Sequence, residues 1–376
     1  MDLLTKSIHQ HLQEVLDKRS EAALYRSLQV NEGLVDFCSN DYLSFSRLKK
    51  EDQKDQTLLL NGATGSRSIS GNTALAEKLE KDIATFHRAE AGLIFNSGYD
   101  ANVGLFSSIA GKGDTLICDE LIHASIIDGC RLSYANRLRF AHNDINELKK
   151  KLEKATGNIF VAVESVYSMD GDSAPLTEIA QVCENFGANL IVDEAHGTGV
   201  FGQNGRGLVN ALNLENKVFA RVHTFGKALG GHGAIVLGKE VLRNYLINFA
   251  RSFIFTTALP PSSLLHIQQA YQQLAAPDFD NSHLHHLIQR FKHSFTEHDT
   301  IQLIPSNSPV QSVIISGNER ARAVAKNLQS KGFDVRAILS PSVPAGKERL
   351  RISLHLHNTA EEVDALLLAL NTCIHA

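Results

Sequence analysis

The sequence predicts an α/β protein: a wound, mainly parallel sheet layered with helices, followed by a smaller α+β unit. Three observations carry this. From about residue 73 to 240, helix-period segments alternate with short apolar runs, the pattern of successive βαβ units. The runs Ile159-Phe-Val-Ala-Val163 and Leu190-Ile-Val192 are apolar at every position, as strands covered on both faces are. Beyond 240 the alternation stops and the helix and strand signals regroup.

Taken in order, Leu4, Ile8, Leu12, Val15 and Leu16 recur at helical spacing and predict an amphipathic opening helix. Leu75, Leu79, Ile83 and Phe86 mark one face of the next helix. A strand is expected over 92–95, a helix from Asp100, a strand over 115–118, a helix from Ala124 and a short strand over 138–140. Asp144 is placed to cap a charged helix over 145–155. Strand 159–163, helix 177–186 and strand 189–192 continue the series. Helices over 241–253 and 262–275 flank Pro260-Pro261. A helix over 286–298, strand 310–315, helix 319–331, strands 334–339 and 350–354 and a helix over 361–373 complete the chain. The expected units are 1–40, packing on the small unit; 41–245, the large unit; and 246–376, the small one.

The 376 residues carry 37 Lys+Arg against 41 Asp+Glu, a formal net charge of −4. That mild acidity offers no electrostatic footprint for nucleic acid or an anionic membrane, and neither is an expected partner. With 43% hydrophobic and 21% charged residues, the composition excludes collagen-like and largely disordered chains. No apolar run approaches the roughly 20 residues of a membrane span. Cys38, Cys118, Cys130, Cys183 and Cys373 form no C-x-x-C pair and are odd in number, which predicts free thiols in a reducing compartment. Charges begin at Asp2 with no apolar stretch for a signal peptide, so a cytoplasmic protein is expected.

Two motifs mislead. Asp193-Glu-Ala-His196 spells a helicase box, and Gly233-Ala-Ile-Val-Leu-Gly238-Lys239 spells G-x-x-x-x-G-K. Glu240 stands where a phosphate loop needs Ser or Thr for Mg²⁺, and the two motifs come in the wrong order. A metal hydrolase built on Asp193, His196 and another histidine lacks H-E-x-x-H spacing, and no metal site is expected. Read physically, Asp193 ends an apolar run at the carboxyl end of a strand, where open α/β sheets collect ligands. His196 follows at a glycine-rich turn. Lys227 comes after the next strand, in Thr224-Phe-Gly226-Lys227-Ala-Leu-Gly230-Gly231. A lysine among glycines is ordinarily a solvated loop residue; its place after that Asp and His sets it apart.

This order resembles that of fold-type I pyridoxal-phosphate enzymes, and the chain resembles the α-oxoamine synthase family essentially end to end. The likeness rests on Asp36-Phe-Cys-Ser-Asn40-Asp-Tyr-Leu43, Gly65-Ser-Arg-Ser-Ile-Ser-Gly71-Asn-Thr73 and Phe95-Asn-Ser97-Gly98-Tyr99-Asp-Ala-Asn102. Asp119-Glu-Leu-Ile-His123-Ala-Ser125, Ser168-Met-Asp170-Gly-Asp172-Ser-Ala-Pro175, His223-Thr224-Phe-Gly226-Lys227 and Arg349-Leu-Arg351 follow in the same collinear order. The resemblance implies a large domain on a mainly parallel seven-stranded sheet, a small α+β domain, and pyridoxal 5'-phosphate as cofactor. It implies Lys227 as the Schiff-base residue and general base, and Asp193 as the partner that keeps the pyridinium nitrogen protonated. His196 would bond the phenolate oxygen and His123 would stack on the ring. Gly98 and Tyr99 would offer helix-start N–H groups to the phosphate, and the Ser168 and Thr224 hydroxyls would bond the cofactor. Thr256 and Thr257 would reach the neighbouring subunit's phosphate in a homodimer.

On the substrate side the resemblance implies Asn40 and Arg351, with Arg351 clamping the amino-acid carboxylate through a bidentate fork. Arg349, on the same strand face, is its rival, and Arg26 is the weaker candidate for contacting the acyl-CoA. The implied reaction is a decarboxylative condensation of a small amino acid with an acyl-CoA. Likeness around Gly65-Ser-Arg, Ser168–Leu176 and Ala195–Gly202 points to L-alanine and a pimeloyl thioester, on CoA or a carrier, as in biotin biosynthesis. Members that use glycine or serine stay open. A non-catalytic partner subunit of this family would be expected to lack Lys227.

Overall fold

Ser7 opens the first helix: its side chain accepts the Gln10 N–H while the Gln10 side chain returns to the Ser7 N–H, a capping box. The computed structural model describes residues 7–22, 24–26, 28, 33–48, 60–297 and 301–375; Leu4 and His298 lie outside them. In α1 (Ile8–Glu21) the apolar stripe of Ile8, Leu12, Val15 and Leu16 is exposed. There follow β1 (Val35–Asp36), α2 (Ala74–Phe86), β2 (Ala91–Phe95), α3 (Gly98–Ser108), β3 (Thr115–Asp119), α4 (Ala124–Leu132) and β4 (Asn136–Phe140). Next come α5 (Ile145–Leu152), β5 (Ile159–Glu164), α6 (Leu176–Phe186), β6 (Asn189–Asp193), α7 (Leu208–Ala211), β7 (Ala220–Thr224) and β8 (Ala234–Gly238).

These strands build a seven-stranded sheet in the order β2-β8-β7-β6-β5-β3-β4. β8 runs antiparallel to both neighbours and every other pair is parallel, so the expected fold class holds. β5 and β6 are buried at all but their first residue, as uniformly apolar runs require. The run that spells G-x-x-x-x-G-K is β8 itself, with Lys239 at the N-cap of the following helix. Asp144 caps α5 by accepting the Asn146 and Glu147 N–H groups. At the sheet edge, β4 points Arg137 and Arg139 outward, charges that discourage edge pairing.

The helix expected over 241–253 is two, α8 (Glu240–Phe249) and α9 (Arg251–Ile254). They part at Ala250, whose ψ of 100° leaves the helical region as it packs over Gly104 of α3. The chain continues through α10 (Pro261–Ala275), α11 (Ser282–Ser294), β9 (Ile301–Leu303), β10 (Val310–Ile315) and α12 (Asn318–Ser330). It ends with β11 (Phe333–Asp334), β12 (Arg336–Ile338), β13 (Arg349–Ser353) and α13 (Ala360–His375). The second sheet is antiparallel, in the order β12-β13-β10-β9. The strand expected over 334–339 divides at the buried Val335: β11 pairs in parallel with β1, and β12 pairs antiparallel with β13. One apolar core runs from Ile83, Phe225 and Ile235 through Leu264 of α10 to Ile352 and Leu366. Layers on either side of residue 246 therefore share their packing.

Glu80 of α2, 1% exposed, holds three elements together. It accepts Arg67 Nη1 at 2.8 Å, Arg243 Nη2 of α8 at 2.9 Å and the Ile94 N–H of β2 at 2.9 Å. Glu80→Ala leaves two guanidinium groups without that carboxylate and is expected to destabilise the chain by about 3–5 kcal/mol. A urea-unfolding series checks this, and a loss below about 1 kcal/mol would contradict it.

Candidate active site

Three parallel strands end side by side in the middle of the large sheet: β5 at Glu164, β6 at Asp193 and β7 at Thr224. Register sets Glu164 directly beside Asp193, so two acids share the crevice at the carboxyl end of the sheet. A cavity of about 220 Å³ opens there, lined by these three residues, Lys227, His123 and the start of α3.

Lys227 lies on the connection between β7 and β8. Phe225 N donates to Gly233 O at 2.9 Å and Gly231 N to Phe225 O at 2.7 Å, closing that connection into a tight loop. Gly230 has φ +59° and touches the 45–46 backbone so closely that a Cβ would lie 2.0 Å from Ser46 N; only glycine fits. Lys227 Nζ sits 2.8 Å from His196 Nε2. Burial lowers the Lys227 pKa to about 8, with Asp193 and Glu164 opposing the shift and Arg351 adding to it.

A hydrogen-bonded chain leads away from this amine. His196 Nδ1 lies 2.7 Å from Tyr42 Oη, which donates to Asn40 Oδ1 at 3.0 Å; Arg351 Nη2 donates to the same oxygen at 2.8 Å. An ammonium on Lys227 donates to Nε2, so the imidazole proton belongs on Nδ1 and points at Tyr42. Burial, then the charges of Lys227, Arg351 and His123, hold the His196 pKa well below its ordinary value, which keeps the ring neutral.

Asp193 has both oxygens engaged: Oδ1 accepts the Ala195 N–H at 2.9 Å and Oδ2 the Asn102 amide at 2.8 Å. Asn102 also donates to Ser125 Oγ at 3.0 Å. His123 caps α4, its Nδ1 facing the Ser125 N–H at 3.2 Å and the Ser125 hydroxyl at 2.7 Å. Burial lowers its pKa, against the pull of Asp193. Burial and the adjacent Asp193 push the Glu164 carboxyl well above the usual carboxylate range.

Atoms without partners test whether pyridoxal phosphate fits here. Among the described residues, Thr224 Oγ1, Glu164 Oε1 and Asn102 Oδ1 are buried, line the cavity and have no hydrogen-bond partner. Each such atom costs about 1–3 kcal/mol unless a ligand satisfies it. Gly98 is pressed against Thr224, where a Cβ would meet Thr224 Cγ2 at 2.8 Å, so the start of α3 and the unpaired hydroxyl form one anion-accepting corner. That corner, an acid for a ring nitrogen, an imidazole and a buried amine are the donor set a phosphorylated pyridine aldehyde requires. The residues present fit the group.

Of the residues singled out in the sequence, Gly98, Tyr99, His123, Asp193, Thr224 and Lys227 line this cavity. His196, Asn40 and Arg351 join Lys227 through the hydrogen-bonded chain. Five others stand apart. Ser168 does not line the cavity, and its carbonyl accepts Arg351 Nε at 2.7 Å. Thr256 Oγ1 and Thr257 O accept the Asn96 amide at 3.1 and 2.6 Å, outside the cavity of their own chain. Arg26 lines a separate space of about 290 Å³ with Arg19, Tyr25 and residues 337–342. Arg349 is paired with Asp170 and so turns from the Lys227 network that Arg351 joins. Sequence reasoning missed Tyr42, Asn102, Ser125 and Glu164. The first three sat inside recognised motifs; Glu164 carried the same signal as Asp193, an acid closing an apolar run.

Donor atoms of Asp36, His355 and His357 lie within 4.8 Å of one another. Their ring nitrogens are already occupied: His355 faces Asn358 at 3.0 Å and Ser39 at 3.1 Å, and His357 faces Ser44 at 2.7 Å and the Arg47 guanidinium at 3.1 Å. These histidines pack the chain ends together.

The family of aminotransferases of class I and II matches residues 32–370. An 8-amino-7-oxononanoate synthase of Emericella nidulans is 44% identical, covering 96% of this chain and 95% of its own. Among solved structures, an 8-amino-7-oxononanoate synthase from Francisella tularensis superimposes with a TM-score of 0.78 at 30% identity, covering 92% of this chain and 99% of its own. The serine palmitoyltransferase of S. paucimobilis, solved with a bound PLP–myriocin aldimine, gives a TM-score of 0.85 at 26% identity, covering 100% of this chain and 99% of its own.

The lowered Lys227 pKa has a direct readout. In the cofactor-free chain, acylation of Lys227 followed by mass spectrometry should rise with a midpoint near pH 8, well below the value of about 10.4 for an exposed lysine. A midpoint above about 10 would contradict the burial argument.

Proposed function

The chain belongs to the aminotransferase class I and II family and, within it, to the α-oxoamine synthases, and we propose that it condenses L-alanine with a pimeloyl thioester. The products are 8-amino-7-oxononanoate, CO2 and the free thiol, a step of biotin biosynthesis. Its cofactor is pyridoxal 5'-phosphate, which when bound supplies the electron sink for bond breaking at the amino-acid α-carbon. Lys227 would hold the group through its amine, with Asp193 as the partner for the ring nitrogen, His123 for the ring face and His196 for the phenolate oxygen. The first-turn N–H groups of Gly98 and Tyr99, with Thr224 Oγ1, would receive the phosphate.

Freed when the amine of L-alanine takes its place, Lys227 Nζ takes the α-proton of L-alanine. With a pKa of about 8, a useful fraction of the amine is neutral near pH 7, and Asp193 and Glu164 stabilise the ammonium that results. His196 Nε2 keeps that amine in place. Arg351 carries five N–H groups, three of them engaged by Ser168 O at 2.7 Å, Ser353 Oγ at 3.0 Å and Asn40 Oδ1 at 2.8 Å. Apart from a long 3.5 Å approach to Tyr42, one N–H remains on each terminal nitrogen for the alanine carboxylate. The observation that carries this reading is the buried Lys227 amine, bonded to His196 and sharing one cavity with Asp193, in a chain 44% identical to a named 8-amino-7-oxononanoate synthase.

The same reading makes the chain a homodimer. Thr256 and Thr257 stand outside their own cavity, and Leu132, Tyr134 and Phe255 are large apolar side chains left exposed. Arg26 and Arg19, in the second cavity, would meet the acyl thioester. Free thiols at Cys38, Cys118, Cys130, Cys183 and Cys373 support a reducing, cytoplasmic setting.

Holoenzyme supplied with L-alanine and pimeloyl-CoA should release thiol and CO2 in equal amounts; a preference for glycine or L-serine would overturn the substrate assignment. Lys227→Ala should lower turnover about 10²–10⁴-fold and remove the visible-edge absorbance of the bound cofactor. Arg351→Gln should raise the L-alanine KM about 30-fold, or about 2 kcal/mol, with kcat changed much less.

A further inference from the structure

We propose that His142 is a positioning residue that holds the loop bearing His123 in register with the loop bearing Ser168, and through Ser168 sets the orientation of Arg351. The proposal rests on the reading of Arg351 as the carboxylate clamp. His142 follows the edge strand β4 and stands outside the cavity around Lys227. Its Nδ1 lies 3.0 Å from Asp119 Oδ1 and its Nε2 2.8 Å from Asp172 Oδ2. A neutral imidazole has one N–H and would turn a lone pair toward one of these carboxylates; only the imidazolium donates to both.

Each carboxylate belongs to a different loop at the ligand end of the sheet. Asp119 closes β3, accepts the Leu121 N–H at 2.8 Å and the Asn143 N–H at 3.0 Å, and leads in four residues to His123. Asp172 closes a tight turn in which Tyr167 N donates to Asp172 O at 2.9 Å and Gly171 N to Tyr167 O at 2.8 Å. Within that turn Ser168 O accepts Arg351 Nε at 2.7 Å, Met169 O accepts Ser312 Oγ at 2.6 Å, and Asp170 pairs with Arg349. The turn is thus the seat of β10 and β13, and His142 fastens it to the His123 loop beside Asn143, whose backbone N–H meets Asp119 and whose amide meets Asp172 Oδ2 at 2.9 Å and His142 Nε2 at 3.1 Å.

The charged groups facing His142 are Asp119 from β3, Asp172 from the turn after β5, and Glu120, which accepts the His142 backbone N–H at 3.0 Å; the Tyr167 ring stands edge-on at 4.4 Å. Burial lowers the His142 pKa, but hydrogen bonds to Asp119 and Asp172 outweigh it and push the value up to about 9. The cationic staple is therefore fully present below the ordinary histidine value and is lost as pH rises through about 9.

The test compares binding of L-alanine with that of ethylamine, the same amine without its carboxylate, to holoenzyme by absorbance titration. Wild type should prefer L-alanine, and Arg351→Gln should lose that preference; if neither holds, the clamp reading itself fails and takes the proposal with it. His142→Gln should cut the preference about tenfold while ethylamine binding and cofactor content stay near wild type. The wild-type preference should fall as pH passes about 9, a fall absent in His142→Gln. Should that variant not fold, Asp172→Asn, which removes the outer carboxylate, should show the same loss. An unchanged preference in the folded variant, or an equal weakening for both amines, overturns the proposal.

Discussion

Asp193 can be buried because each of its oxygens is met by a donor, the Ala195 N–H on one side and the Asn102 amide on the other. Much of the site follows from that requirement. Asn102 reaches Asp193 only if α3 starts hard against the end of β7, and Gly98 permits that approach because no Cβ stands between it and Thr224. The same amide holds Ser125, and Ser125 holds the His123 ring. One buried acid therefore sets the places of a helix start, a hydroxyl and an imidazole. It also supplies part of the negative field that offsets the burial of the Lys227 amine.

The second half of the site comes from a different sheet. Asn40 and Tyr42 belong to the segment after β1, which is tied to β11, while Arg351 projects from β13. These groups meet His196 of the large sheet in one continuous run of hydrogen bonds. The turn after β5 joins the two halves, since its carbonyls at Ser168, Met169 and Gly171 receive Arg351, Ser312 and Ser306. The large sheet thus presents the amine and the acid, and the smaller sheet brings Arg351 to the far end of the same hydrogen-bonded run.

The legible part of this arrangement was carried by local pattern. Apolar runs flanked by helix-period segments report burial on both faces, so β5 and β6 were readable. Asp193 was readable as an acid closing such a run, and Lys227 by its order after it. Glu164 has the same signature but stands outside every recognised motif. The breaks at Ala250 and Val335 were invisible, since each depends on what packs there: Gly104 beneath the first and the competing partners β1 and β13 around the second. His142 reads from sequence only as a polar residue before a helix cap.

By itself, then, the sequence determined the α/β class, the order of acid, histidine and lysine along the chain, and the family that order belongs to. These are properties of spacing, and spacing survives without knowledge of neighbours. Tertiary structure alone decided that Arg351 and not Arg349 joins the lysine network, that Tyr42 links His196 to Asn40, and that Thr256, Thr257 and Arg26 lie outside this cavity. Those outcomes turn on pairs far apart in sequence, His196 with Tyr42 154 positions away and Arg351 with Asn40 311 away. Their geometry comes from strand register and sheet docking, which local periodicity does not encode.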